Sequence, residues 1–387
     1  MIYLDNNAST PMAAEVKEAM ILAWDQYGNP SGTHLLARAA ETLYENARAE
    51  IASELGVSPQ EVILTSGSTE ALTIAIWGQI LGAPANRNKV LVSAIEHEAV
   101  LATAEVACKV ANKELVIIPV VGFSASSHIG QVDLDFVTEN IGADVALIAV
   151  MAVNNETGII QPIEKIAELA GAFDVPFLCD STQAVGKHSY FSMCDVSAMF
   201  TVSGHKIYGP KGSGALVISR KAQRTLVTIA PGGGQERGIR GGTLNSASAV
   251  GLAKALKFAL SNVENEMWRE EKLRDRLLSG LAAEFPDSLT SNSGMPAFCL
   301  KNTLNLRFHA TPSDAVLTSL AKVAASRASA CSAGMEKPSH VLLAMGMTSR
   351  EAEESMRFSL GRFTTSEEIE AAIEDVSVAV TRVRQLV

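Results

Sequence analysis

The sequence predicts an α/β protein, with a mostly parallel sheet in a large first domain and a smaller α+β domain after it. Three observations carry this. Short apolar runs alternate with helical stretches from Glu15 to about residue 262, the pattern of a parallel sheet covered on both faces. The rhythm changes after one long helical pattern at Asn245–Phe285. Glycine-rich and polar clusters fall at the ends of the apolar runs, where open α/β sheets bind ligands.

Taken in order, Glu15–Trp24 and Ala37–Leu55 carry helical spacing and good helix formers, with Gly56 as a stop. Val62–Thr65 reads as a short strand, followed by SGST and a helix from about Glu70 to Ile80. Lys89–Ser93, Glu114–Val121, Asp144–Val153 and Pro176–Cys179 read as strands, with helices at Val100–Ala111 and Ile163–Phe173 between them. Two further apolar runs, Ser197–Val202 and Ala215–Ser219, are β-branched and aliphatic enough for buried strands. Beyond the long helical pattern come strands at Leu304–Phe308 and Ser355–Leu360 and helices at Ser313–Lys322 and Ser366–Arg384. The domains are therefore expected at residues 15–262, and at 1–14 with 263–387.

The net charge of −10, from 32 basic and 42 acidic residues, argues against nucleic-acid or acidic-membrane binding as the main activity. The N-terminus lacks the basic and apolar regions of a signal peptide. The apolar stretch Val145–Val153 is far below the ~18 residues of a membrane span. Five cysteines without a CxxC pair predict a reducing compartment, with neither a disulfide framework nor a structural zinc site. The cytoplasm is the expected setting.

The chemistry centres on Thr201–Val217, TVSGHKIYGPKGSGALV. Ser203, His205 and Lys206 cluster at a strand end, and the glycines let the backbone turn and approach a ligand. A lysine there suits a covalent bond to an aldehyde beside a phosphate; a solvated hairpin lysine is the alternative. Pro210 stands where a Walker A lysine belongs, which excludes that phosphate motif. Cys331 lies in Ala328–Gly334, ASACSAG, small residues that predict a mobile, partly exposed loop. Cys108, Cys179 and Cys299 lie in or beside apolar runs, as core cysteines do, and Cys194 fits either setting.

Ten blocks occur in an order resembling one known group. They are YLDNNASTP (Tyr3–Pro11), YGNPSGTH (Tyr27–His34), LTSGSTE (Leu64–Glu70), EHEAVL (Glu96–Leu101), NNETG (Asn154–Gly158), DSTQAVGK (Asp180–Lys187), SGHK (Ser203–Lys206), ERGIRGGT (Glu236–Thr243), SACSAGMEKPSHVL (Ser329–Leu342) and RFSLGRFT (Arg357–Thr364). This set resembles the cysteine desulfurases of the NifS/IscS kind, within the class V aminotransferase-like pyridoxal-phosphate enzymes. The resemblance implies a fold-type I transferase with a seven-stranded sheet, and a small domain carrying the cysteine loop at about 326–340.

It also implies roles. Lys206 holds pyridoxal phosphate and then moves the substrate Cα proton. Asp180 faces the ring nitrogen, unless it is only a helix cap. Gln183 and Asn155 meet the phenolic oxygen, and Asn155 also meets the substrate carboxylate. Ser68, Thr69, Ser203 and His205 cradle the phosphate, with capping as the ordinary alternative for the first two. His97 stacks on the ring and handles protons. Thr243 reaches the phosphate of a second subunit, making a homodimer. Arg362 clamps the substrate carboxylate. The reaction takes L-cysteine to L-alanine and leaves the sulfur as a persulfide on Cys331, for a sulfur-acceptor protein.

The chain departs from the common pattern at Arg327-Ala328, at Glu336-Lys337 and in the ALT after Glu70. It also stops soon after its last helix, where longer relatives carry a tail that docks an iron–sulfur scaffold. The rival readings are an aminotransferase or selenocysteine lyase of the same fold, and a non-catalytic platform in a sulfur-transfer complex. Iron–sulfur clusters, tRNA thiolation, cofactor synthesis and phosphorothioate DNA all stand open as the sulfur's destination.

Overall fold

The computed structural model describes residues 1–125, 127–188, 197–294, 296–327 and 337–386. Cys194, Cys331 and most of the expected cysteine loop lie outside them. In chain order the elements are β1 (Ile2–Tyr3), α1 (Ala14–Trp24), α2 (Leu35–Leu55), β2 (Val62–Thr65), α3 (Ser68–Gly82), β3 (Lys89–Ser93), α4 (Glu98–Ala111) and β4 (Glu114–Ile118). Then come α5 (Leu134–Asn140), β5 (Val145–Ala149), α6 (Ile163–Ala172), β6 (Phe177–Cys179), β7 (Met199–Ser203), β8 (Gly214–Ile218), α7 (Ser246–Leu260) and α8 (Val263–Glu284). The chain closes with β9 (Leu289–Ser291), β10 (Thr303–Phe308), α9 (Ser313–Ser319), β11 (Val323–Ala324), β12 (Ser326–Arg327), β13 (Ser355–Ser359) and α10 (Ser366–Arg384).

Seven strands form the main sheet in the order β2-β8-β7-β6-β5-β3-β4. Its pairs are parallel except those made by β8 with β2 and β7. The period-two alternation of strand side chains sorts them into two cores: Val62, Leu64, Phe200 and Val202 face one, Ile63, Met199, Leu216 and Ile218 the other. Helices α1, α2 and α7 bury residues in the first core, α3 and α4 in the second. A third core packs α8 and α10 against a four-stranded antiparallel sheet, β12-β13-β10-β9.

Two strands stop well short of the ends the sequence suggests. β4 stops at Ile118 because Pro119 has no N–H for the ladder. β5 stops at Ala149, although the apolar run continues and Ala152 still donates to the carbonyl of Asp180. The long helical pattern is two helices, broken where Asn262 takes φ 63°.

The free edge of β2 is covered by side chains. Glu236 accepts from the Leu64 N–H at 2.7 Å, and Arg48 donates to the Val62 carbonyl at 2.7 Å. Arg48 Nη2 and Tyr44 also bind Glu236, each at 2.6 Å. Their donated hydrogen bonds outweigh burial and hold the Glu236 carboxyl below its usual range. The N-terminal segment lies among late residues: β1 pairs with β11, and Asn6 N–H donates to the Ser359 carbonyl at 3.1 Å.

Candidate active site

A cavity of about 530 Å³ opens where the segments after β2, β3, β5, β6 and β7 meet the N-terminal segment and β13. Lys206 ends a single 3₁₀ turn after β7. Its Nζ donates to the Asn7 carbonyl at 2.6 Å and the Ala8 carbonyl at 2.9 Å. His205 Nδ1 lies 3.3 Å from Ser9 Oγ. Burial, then the charges of Lys206, Lys187 and Lys211, pull the His205 pKa down to about 4, so its imidazole is neutral near pH 7.

Asp180 follows β6 and is 6 % exposed. It accepts from Thr182 N at 3.0 Å, from the Thr201 hydroxyl at 2.9 Å and from the Thr182 hydroxyl. Among the described residues all three fall on Oδ1, which leaves Oδ2 to the cavity it lines. Thr182 Oγ1 also lies 2.6 Å from Ser68 Oγ.

Ser68 and Thr69 open α3, whose N-terminus has no side-chain cap, so its N–H groups face the cavity unclaimed by a capping residue. Gly67 precedes them at φ 148°, and Ser203 Oγ lies 3.9 Å from where its Cβ would stand. A side chain is strained at that φ, so glycine keeps the cradle open. His97 caps α4, its Nδ1 accepting from Ala99 N at 3.1 Å, and it lines the cavity with Asn155, Gln183 and Ser203.

Two residues fall elsewhere. Arg362 is not brought to the cavity. Its guanidinium donates to the carbonyls of Phe258, of Ala259 (3.2 Å) and of Ser261 (3.0 Å), and lies 4.3 Å from the Phe258 ring centroid. The end of α7 exposes unpaired carbonyls and the negative pole of the helix, which attract a cation. Thr243 is exposed and lines a second cavity of about 220 Å³ with Arg240, Ser66 and Gly212; the last two also line the first.

Arg357, on β13, lines the main cavity in place of Arg362. It is 1 % exposed and donates to Asp5 Oδ1 (2.7 Å), Ser326 Oγ (2.8 Å) and the Asn155 carbonyl (3.0 Å). Its Nε has no partner among the described residues. Sequence reasoning singled out neither Arg357 nor Thr182, and it missed the Asn7 and Ala8 carbonyls that hold Lys206.

The described cysteines, Cys108, Cys179 and Cys299, are all buried. Burial pushes the Cys108 thiol up to about 11, Cys299 up to about 12 and Cys179 well above its ordinary value.

A model of the family "Aminotransferase class-V" matches residues 2–372. A "Cysteine desulfurase" of Frankia sp. (strain EuIK1) is 41 % identical over 393 residues, covering 100 % of this chain and 93 % of the relative. A solved NifS-like protein superposes with TM-score 0.89 at 29 % identity, over 98 % of this chain and 99 % of that one. A structure described as SspA in complex with cysteine gives TM-score 0.80 at 33 % identity, over 94 % and 100 %. The chain belongs to the class-V aminotransferase family of pyridoxal-phosphate enzymes, with the fold-type I architecture. Within that family its activity is that of a cysteine desulfurase.

The residues present fit that cofactor. A lysine amine, a buried carboxylate with one oxygen uncommitted among the described residues, and a helix N-terminus without a side-chain cap surround one cavity. These are the donors that a pyridoxal aldehyde, ring nitrogen and phosphate require.

Proposed function

We propose that the residues around Lys206 desulfurate L-cysteine to L-alanine and that Cys331 carries the sulfur to an acceptor protein. The observation that carries the assignment is that Lys206, Asp180 and Arg357 line one cavity. Pyridoxal phosphate would bond to Lys206, with its phosphate at Ser68, Thr69, Ser203 and His205, and would supply an electron sink for a carbanion at the substrate Cα.

The other roles belong to the chain. Asp180 Oδ2 would keep the ring nitrogen protonated, Gln183 and Asn155 would reach the phenolic oxygen, and His97 would pack on the ring. Arg357, not Arg362, holds the substrate carboxylate through a planar fork of donors. Lys206 Nζ would move the proton at the substrate Cα. Cys331 Sγ, as thiolate, would bond to the substrate sulfur while the carbon–sulfur bond breaks with its electron pair left on Cβ; protonation of Cβ completes the methyl of alanine, and the sulfur stays on Cys331 as a persulfide.

A homodimer is supported by exposed apolar side chains at Leu22, Trp24, Tyr27, Leu35 and Leu36. Thr243 would meet the phosphate of the second copy. A reducing, cytoplasmic setting is supported by the free buried thiols. An iron–sulfur assembly is one destination for the sulfur.

The test is Cys331→Ser. This variant is expected to keep its cofactor and its spectral response to L-cysteine, yet release little alanine and hold no labelled sulfur. Alanine formed at the wild-type rate by Cys331→Ser, but not by Cys194→Ser, overturns the role of Cys331.

A further inference from the structure

Lys187 sits behind the cavity wall, 8 % exposed, and is not among the residues that line the cavity. Its Nζ donates to Gln183 Oε1 at 2.5 Å and to Asn7 Oδ1 at 3.3 Å. On the other side of the Gln183 amide, Nε2 donates to the Asn7 backbone carbonyl at 2.8 Å. That carbonyl also receives Lys206 Nζ, at 2.6 Å. The Asn7 side chain is fixed as well, because its Nδ2 donates to Thr303 Oγ1 at 2.9 Å and to the Asn155 carbonyl at 3.3 Å.

An amide has one accepting and one donating end, and an amine beside it selects the accepting end. Lys187 therefore claims Oε1, and the second N–H of Nε2 is left for the cavity that Gln183 lines. Without Lys187 the buried Oε1 has no donor among the described residues, a cost comparable to what the amide gains by its present orientation.

We infer that Lys187 is a positioning residue, locking the Gln183 amide with Nε2 toward the cavity so that it donates to the cofactor's phenolic oxygen. The inference rests on the assignment of Gln183 to that oxygen. Burial, with Lys206 and Arg357 nearby, pulls the Lys187 pKa down to about 7, while Glu270 acts the other way. The lock holds through that range, since the amine keeps N–H donors in either protonation state.

The experiment follows the visible chromophore of the holoenzyme against pH. A donor on the phenolic oxygen lowers the proton affinity of the adjoining Lys206 nitrogen. Lys187→Met and Gln183→Ala are each expected to raise the titration midpoint by about one pH unit. The double variant should move no further than either single one, since the two residues act as a unit. Cofactor content and borohydride trapping on Lys206 are expected to stay as in the wild type. If Lys187→Met does not fold, Lys187→Gln serves, because a neutral amide no longer dictates how Gln183 turns. An unshifted midpoint in the Lys187 variant, beside a shifted Gln183→Ala, overturns the role of Lys187; so do additive shifts. An unshifted Gln183→Ala overturns instead the placing of Gln183 at the phenolic oxygen.

Discussion

Arg357 donates to Asp5 Oδ1 at 2.7 Å from a site almost sealed from solvent. The contact fastens β13 to the N-terminal segment, whose next carbonyls, Asn7 and Ala8, hold Lys206. A cavity-lining arginine and the amine of the same cavity thus share one short stretch of backbone.

The two arginines of Arg357–Thr364 should separate cleanly. Arg357→Lys is expected to raise KM for L-cysteine roughly 10–100-fold, the loss of a bidentate, charge-assisted clamp. Arg362→Ala should leave KM near the wild type and lower stability by about 1–2 kcal/mol through the uncapped end of α7. Steady-state kinetics and thermal denaturation of both variants check this; a KM effect in Arg362→Ala alone would reverse the assignment.

Asp180→Asn should lose roughly 10²–10³-fold in kcat, as expected when a stabilising group at the reacting centre is removed. Its amide still accepts from Thr182 and Thr201, so cofactor content and melting temperature should change little. Wild-type turnover in the loaded variant would contradict a role at the ring nitrogen.

Glu96 gives a pH signature. Its Oε1 accepts from Ser93 Oγ (2.9 Å) and Met151 N (2.6 Å), while Oε2 has no partner among the described residues. Burial, then the charge of Asp180, pushes its pKa up to about 8. Between the unfolded value of about 4.3 and this raised one, only the folded state keeps the proton. Glu96's contribution is therefore full at low pH and is lost as pH rises through about 8. Glu96→Gln lacks this slope, so its melting temperature should gain on the wild type from about pH 5 to 8.5. A constant difference across that range would mean that Glu96 is already ionised.

Periodicity located the strands that frame the site, and Val62–Thr65 and Lys89–Ser93 end where their apolar runs end. Lys206, Asp180, His97 and Ser68 line one cavity; polar residues at the strand ends marked the neighbourhood of Lys206, Asp180 and Ser68, while His97 was named through the family resemblance. The choice between Arg357 and Arg362 was not. Both occupy one block, and what separates them is the end of α7, about a hundred residues away in sequence. The carbonyls that hold Lys206 leave no trace in sequence, since every residue carries one.

The N-terminal pairings bear on how the chain is made. Residues 2–7 are made long before their partners, which include Val323, Ala324, Arg357 and Ser359. At ~5–20 residues per second, synthesis runs for roughly 20–70 s before Ser359 exists to receive them. Until then the backbone carbonyls of Asn7 and Ala8 lack the scaffold that carries them to Lys206. The cavity is therefore completed last, and retention of cofactor by a nascent or truncated chain reports whether its final strand has docked.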